Sequence, residues 1–92
     1  MLKPALSTQF KRDYILLIRR GYDITKLDIV IITLLSQIPL DPRHRDHPLK
    51  GKWRGYRGCH IADDWVLVYK VDNVKLLLML SRTGTHADVY GS

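Results

Sequence analysis

The chain carries a single cysteine, Cys59, among its 92 residues. That excludes an intrachain disulfide scaffold and leaves no cysteine pair for zinc, so a reducing compartment, the cytoplasm, is the expected location. The stretch from Met1 to Asp13 lacks the apolar core and small-residue cleavage site of a secretory signal. Nor does any segment reach the roughly 20 apolar residues that a membrane span needs. The longest, Leu27 to Leu40, is interrupted by Asp28, Thr33, Ser36, Gln37 and Pro39 and reads as a buried helix. Internal repeats, low-complexity tracts and linkers are missing as well, so residues 1–92 are expected to form one domain around one core. Acidic residues are scarce: 9 Asp plus Glu face 15 Lys plus Arg, a formal charge of +6. Such a balance favours polyanionic partners, whether RNA, DNA, an anionic membrane or an acidic protein, and charge alone does not choose among them.

What is present reads as an α+β unit. Leu2 to Leu6 is a short strand, placed at an edge because Pro4 has no amide for a central ladder. Ser7 or Thr8 offers an N-cap for a first helix, in which Phe10, Tyr14, Leu17 and Ile18 recur at helical spacing and Gly21 marks the stop. Thr25 and Asp28 have the spacing of a capping box for a second helix. Its stripe is Leu27, Val30, Ile31, Leu34, Leu35 and Ile38, and Pro39 closes it. Residues 41–58 are polar, basic and broken by prolines and glycines, a loop entering a strand. Three strands follow, about Tyr56 to Ile61, Trp65 to Val71 and Lys75 to Ser81. The expected architecture is therefore two N-terminal helices packed on one face of a twisted antiparallel sheet. They would bury Val66, Val68, Leu77 and Met79 or their alternates, and leave the other face open to a substrate.

All four histidines, His44, His47, His60 and His86, lie beyond residue 43. Histidine exchanges protons near neutral pH, and Asp64 and Arg82 supply charge beside it. In an up-down-up path the carboxyl end of the last strand returns to the edge that holds His60 and Asp64. That arrangement suits RNA cleavage by internal transfer, in which a base removes the 2'-OH proton, a cation steadies the phosphorane and an acid protonates the leaving oxygen. Taken singly, each histidine is more often structural, Asp64 is equally a turn cap, and Arg82 equally the partner of a nearby acid. No metal site is expected, since Arg43 and Arg45 flank the His44–His47 pair and oppose a bound cation. Lys50, Lys52, Trp53, Arg54 and Arg57 interleave cations with an aromatic ring and glycines, a pattern suited to phosphate contacts and base stacking, or else to a solvated loop whose Trp53 and Tyr56 cover the core edge.

Asp46-His47-Pro48-Leu49, the run Gly51 to Arg57, His60 with Asp64-Trp65, and Arg82-Thr83-Gly84-Thr85-His86 resemble, in order and separation, the YafQ branch of the RelE/ParE toxin superfamily. The resemblance covers nearly the whole chain. It implies a RelE/ParE-like fold and a metal-independent, cofactor-free endoribonuclease, an mRNA interferase that cuts translated message on the ribosome. It also implies an acidic antitoxin of the DinJ or RelB kind, contact with operator DNA only through the toxin-antitoxin complex, no membrane partner, and a monomer when alone. By the same resemblance His47, His60, Asp64, Arg82 and His86 are catalytic: His86 as acid, Asp64 or His47 as base, His60 orienting the phosphate and Arg82 meeting transition-state charge. Tyr90 falls where the family has a terminal aromatic, and joins the RNA-binding candidates. Two departures stand out, Gly58-Cys59 in place of an acidic-small pair and Tyr90 in place of phenylalanine. The alternatives are a ParE-like toxin acting on DNA gyrase without nuclease chemistry, and an inactive nucleic-acid-binding relative.

Overall fold

The computed structural model describes residues 1–91. Strand β1 (Lys3–Leu6) leads into helix α1 (Thr8–Arg19), whose N-cap Ser7 accepts from the Phe10 amide at 2.9 Å and donates its own hydroxyl to the Ser81 carbonyl at 2.8 Å. The cap thus starts the helix and ties it to the last strand. Helix α2 (Ile24–Leu35) is capped by Asp23, which accepts from the Thr25 amide at 3.2 Å. The capping box expected at Thr25 and Asp28 does not form. Asp28 instead accepts from the Tyr14 hydroxyl at 2.8 Å and joins the two helices. The end of α2 also comes earlier than Pro39: Ser36 is the C-cap and Gln37 turns the chain at a φ of 58°.

Four further strands complete the sheet: β2 (His47–Pro48), β3 (Arg57–Ala62), β4 (Trp65–Asp72) and β5 (Leu77–Thr85), followed by the short helix α3 (His86–Tyr90). The order is β1-β5-β4-β3-β2. Strands β3 to β5 form the expected antiparallel meander and β2, from the segment read as loop, adds to it antiparallel, whereas β1 lies parallel to β5 with Lys3 opposite Leu77 and Leu6 opposite Leu80, so the sheet is mixed. Edge position suits Pro4. The last strand differs most from expectation. Asp72 accepts from the amides of Val74 and Lys75, both at 3.0 Å, so Lys75 belongs to the turn and the strand runs on to Thr85.

Both faces of the sheet are covered. On one, Phe10 and Leu17 of α1 and Leu27, Val30 and Leu34 of α2 meet Leu67, Tyr69, Leu78 and Leu80. These are the alternates of the four strand residues named from sequence. Ile38 of the expected helical stripe is exposed, as are Ile29 and Ile32, so α2 buries one face only. On the other side Val66 and Val68 are sealed by Val89 of α3 together with Leu49, Trp53, Tyr56 and Tyr90. That face is therefore not bare, and the space left on it is a cleft.

Beyond Leu80, β5 has no strand neighbour on its outer side, because β1 stops at Leu6. Asp13 of α1, only 6% exposed, takes that place. Its carboxylate accepts from the Thr83 amide at 3.1 Å, from Arg82 Nε and a second guanidinium nitrogen at 3.0 and 3.1 Å, and from the Gln9 side-chain amide at 3.0 Å. Thr83 in turn accepts from the Trp65 indole and donates to the Val66 carbonyl, each at 2.9 Å. Replacing Asp13 by alanine is expected to cost about 3 kcal/mol, the lower end for breaking one side of a buried ion pair. A urea titration would register this as a lower midpoint at unchanged slope; a cost under about 1 kcal/mol would mean that the pair behaves like a solvent-screened surface contact.

Candidate active site

The ends of β3 and β5 and the start of β4 meet at one edge of the sheet, where Trp65 pairs with Thr85 and His60 with Val66. A tight Asp63-Asp64 turn joins β3 to β4, and the last strand delivers His86 directly opposite it. Asp64 Oδ1 accepts from both the backbone amide of His86, at 3.3 Å, and its Nδ1, at 2.9 Å. Both side chains are well exposed, so the contact orients the ring more than it stabilises the fold. Thr85 caps α3 by accepting from the Asp88 amide. His86 and Tyr90 then share a helix face at i and i+4. Three rings stand in a row: His60 and His86 with centroids 5.1 Å apart, then His86 and Tyr90 at 5.6 Å.

His47 arrives from the other side on β2, opposite Gly58. Its loop is pinned by Asp46, which accepts from the Tyr69 hydroxyl at 2.6 Å and from Arg57 Nε at 3.2 Å. His47 Nδ1 lies 2.6 Å from the Arg45 carbonyl. A carbonyl only accepts, so Nδ1 carries the proton and Nε2 of the neutral ring is left as a base. Between these groups runs a cleft of about 390 Å³, lined by His47, Leu49, Lys50, Trp53, Cys59, His60, Val66, His86 and Tyr90. Burial, reinforced by Asp46, pushes the Cys59 thiol up to about 12, so it is an inert wall and not a nucleophile. His60 is held below the ordinary imidazole value of 6.5, first by burial and then by the neighbouring His86, Arg45 and His47.

Against this geometry, the YafQ family model, a bacterial toxin of type II toxin-antitoxin systems, matches residues 2–91. The chain belongs to the YafQ toxin family. It is 41% identical over 86 residues to a protein of Escherichia coli K12 named mRNA interferase toxin YafQ, covering 92% of this chain and 91% of that one. Among solved structures, the E. coli DinJ-YafQ complex matches with a TM-score of 0.89 at 38% identity, over 99% of this chain and 100% of the other. A copper-bound mutant toxin from Helicobacter pylori matches at 0.90 and 44%, over 97% and 99%. Two helices against a sheet are thus shared with the YafQ structures, as the sequence led us to expect, whereas the fifth strand, β2, and the parallel pairing of β1 were not expected.

The structure brings together four of the five residues taken as catalytic, His47, His60, Asp64 and His86. Arg82 is set apart: its guanidinium lies bidentate on Asp13 and does not line the cleft. Of the candidates for RNA contact, Lys50 and Tyr90 line the cleft, Lys52 and Arg54 are exposed beside it, and Arg57 is bound to Asp46. Trp53 is half-buried, edge-on to Tyr56 at 5.3 Å, with an indole N–H that is buried and has no partner among the described residues. It covers the second core, the blander of the two roles open to it from sequence. Asp13 and Asp46 were not singled out from sequence, although Asp13 is the lone acid within α1. Among the described residues no group of three or more His, Cys, Asp or Glu side chains is placed to hold a metal ion.

Gly58 and Tyr90, one from each departure from the YafQ pattern, meet in space. A Cβ on Gly58 would lie 2.8 Å from the Tyr90 hydroxyl and 2.9 Å from a Leu49 methyl, so the phenolic oxygen occupies space that only glycine leaves free. Gly58→Ala is expected to cost about 2 kcal/mol through overpacking, and distinctly less when Tyr90→Phe is already present; equal costs in the two backgrounds, measured in a double-mutant cycle, would show the residues to be independent. A second expectation concerns pH. The unfolded chain binds the His60 proton more readily than the folded one, so His60 removes stability as pH falls below 6.5. His60→Gln should therefore lose less stability than the wild type between pH 7.5 and 5.5, and a steeper loss in the variant would reverse the assignment.

Proposed function

We propose that residues 1–92 act as a single toxin domain, an mRNA interferase of the cytoplasm that cleaves translated message on the ribosome by metal-independent acid-base chemistry. The observation that carries this reading is the row His60-His86-Tyr90 facing His47 across one cleft, with Asp64 bonded to His86. An mRNA interferase is what the E. coli relative is named.

The tautomers favour a division of labour. His47, with its Nδ1 proton committed to the Arg45 carbonyl, presents an unprotonated Nε2 to a 2'-OH and is the better base. Asp64, already holding the His86 ring, is a positioning group for the acid and not a second base. Protonated His86 then gives its Nε2 proton to the departing 5' oxygen. Each such group contributes typically 10² to 10⁴ in rate. His60, kept neutral by its surroundings, orients the phosphate by hydrogen bonding, and Tyr90 offers a ring for a base to stack on. Lys50 is the cation already on the cleft wall. Arg82 reaches the reacting phosphate only by leaving Asp13, so in the free chain it acts on the site through the end of β5.

As the E. coli relative has been crystallised with DinJ, the partner proposed here is an acidic antitoxin of that kind, matched to the +6 charge. No described helix is long and apolar enough to cross a membrane. Alone, the toxin is expected to be a monomer, and it would meet operator DNA only through the antitoxin.

Primer extension on a translated reporter message, with purified ribosomes, tests the reading. Wild type should leave codon-locked cuts, unaffected by EDTA, and His86→Ala or His47→Ala should lower cleavage at least about 10²-fold. Cuts that persist in both variants would remove the acid-base assignment. Growth arrest and inhibited gyrase supercoiling without any cut would replace the nuclease reading altogether.

A further inference from the structure

The cleavage chemistry leaves unused a second cleft, of about 430 Å³, on the far side of His60 between α2 and the end of β3. Its volume lies in the range of about 300–1,000 Å³ usual for pockets that take a small organic ligand. Three cations line it, Lys26 from the first turn of α2 and Arg43 and Arg45 from the loop, with Asp63 the one acid. Ile29, Val30 and Ile61 supply an apolar wall. His44, set aside in the sequence as loop surface, lines it too and ties it to the active site. Its Nδ1 lies 2.7 Å from the His60 carbonyl, which fixes the proton on Nδ1 and leaves Nε2 available to a ligand.

Backbone conformation adds a second observation. Arg45 adopts a left-handed conformation with φ of 48°, unfavourable for a residue with a side chain. That conformation lets one residue do two things: its carbonyl holds the His47 base, and its side chain lines the second cleft. Arg45 is also close enough to help hold down the proton affinity of His60, whose ring lines the catalytic cleft as well. The two clefts thus adjoin across a single histidine.

We propose that the second cleft is a nucleotide subsite for single-stranded RNA. It takes the nucleotide next to the cleavage point, its phosphate on Lys26, Arg43 and Arg45 and its sugar and base against Ile29, Val30 and Ile61. This rests on the nuclease reading and deepens it, because a strand whose reacting phosphate lies between His60 and His86 continues past His60 into this cleft. Mixed charge and apolar lining suits a nucleotide better than a bare counter-ion. An acidic peptide is the rival occupant, but it gives no reason for the continuity with the catalytic cleft.

The probe is a 2'-O-methyl RNA tetranucleotide, which lacks the attacking hydroxyl and reports binding whether or not the chain is a nuclease. In a ¹⁵N-edited titration of the full chain at low salt, amides of residues 26, 43–45 and 60–63 should shift together with those of residues 47 and 86. The pair Lys26→Gln plus Arg43→Gln should weaken binding about tenfold and lower the slope of log affinity against log salt by about 2. The control pair Lys3→Gln plus Arg12→Gln, equal in charge and remote from both clefts, should change affinity less than about threefold. Equal effects of the two pairs, shifts confined to the catalytic cleft, or no binding by the wild type would each overturn the subsite. So would a Lys26 and Arg43 effect seen only with a polyglutamate peptide, which would assign the cleft to an acidic protein segment. If the tetranucleotide occupies both clefts but translated message is never cut, the subsite stands and the nuclease reading falls.

Discussion

Asp13 is the constraint on which the position of the active site rests. A strand edge without a neighbour exposes amides that must find partners, and the end of β5 is such an edge once β1 has stopped at Leu6. One buried carboxylate answers it, accepting from the Thr83 amide while neutralised by Arg82. Thr83 is thereby free to use its hydroxyl between the Trp65 indole and the Val66 carbonyl, which locks β5 to β4. Shortly afterwards the chain enters α3 at His86. The orientation of His86, the proposed acid, thus follows from a side chain on the first helix, far away in sequence and outside the candidate cleft.

On the opposite side, the loop before β3 does comparable work with backbone carbonyls. His47 is set by the Arg45 carbonyl, and the His60 carbonyl sets His44. Asp46 fastens the loop to Tyr69 and Arg57, and burial together with Asp46 drives the Tyr69 phenol well above its ordinary range. Which nitrogen of the neutral His44 and His47 rings carries the proton is therefore set by backbone carbonyls before any substrate arrives. Gly58 and Tyr90 close the floor between the two sides, where the phenolic oxygen and a Leu49 methyl leave no room for a side chain at position 58.

Helices α1 and α2 were legible because their period of about 3.6 persists over whole elements, and strands β3 and β4 because short apolar runs, continuous in β4, are bounded by turn residues. His47, His60, Asp64 and His86 were legible as a set because they recur in short polar segments at strand ends. What escaped did so for two main reasons, shortness of an element and distance of a partner. Strand β2 is two residues long and contains Pro48, so it carries no alternation to read. The parallel pairing of β1 with β5 joins Lys3 to Leu77, and nothing local to either segment announces it. For Arg82 the resemblance implied a role at the reacting phosphate and the residues alone left open a nearby acid; the partner it has, Asp13, lies on α1 and could not be named from the local sequence. The capping-box spacing at Thr25 and Asp28 was real, but Asp23 wins the cap and Tyr14 takes Asp28. Long-range partners decided the pairing of β1, the place of Arg82 and the use of Asp28, while the Asp23 cap is a local competitor that the spacing rule passed over.

The same parallel pairing has a bearing on synthesis. Closing β1 onto β5, and Ser7 onto the Ser81 carbonyl, requires the chain between them to be ordered first, a high-contact-order step and a slow one. A nascent chain that has emerged as far as Asp72 already carries His47, His60 and Asp64, yet has neither the strand that seats α3 nor the ring that completes the row. The cleft comes into being only once β5 and α3 have formed, so a partly synthesised chain that stops short of them holds three of the clustered residues without the surface they share.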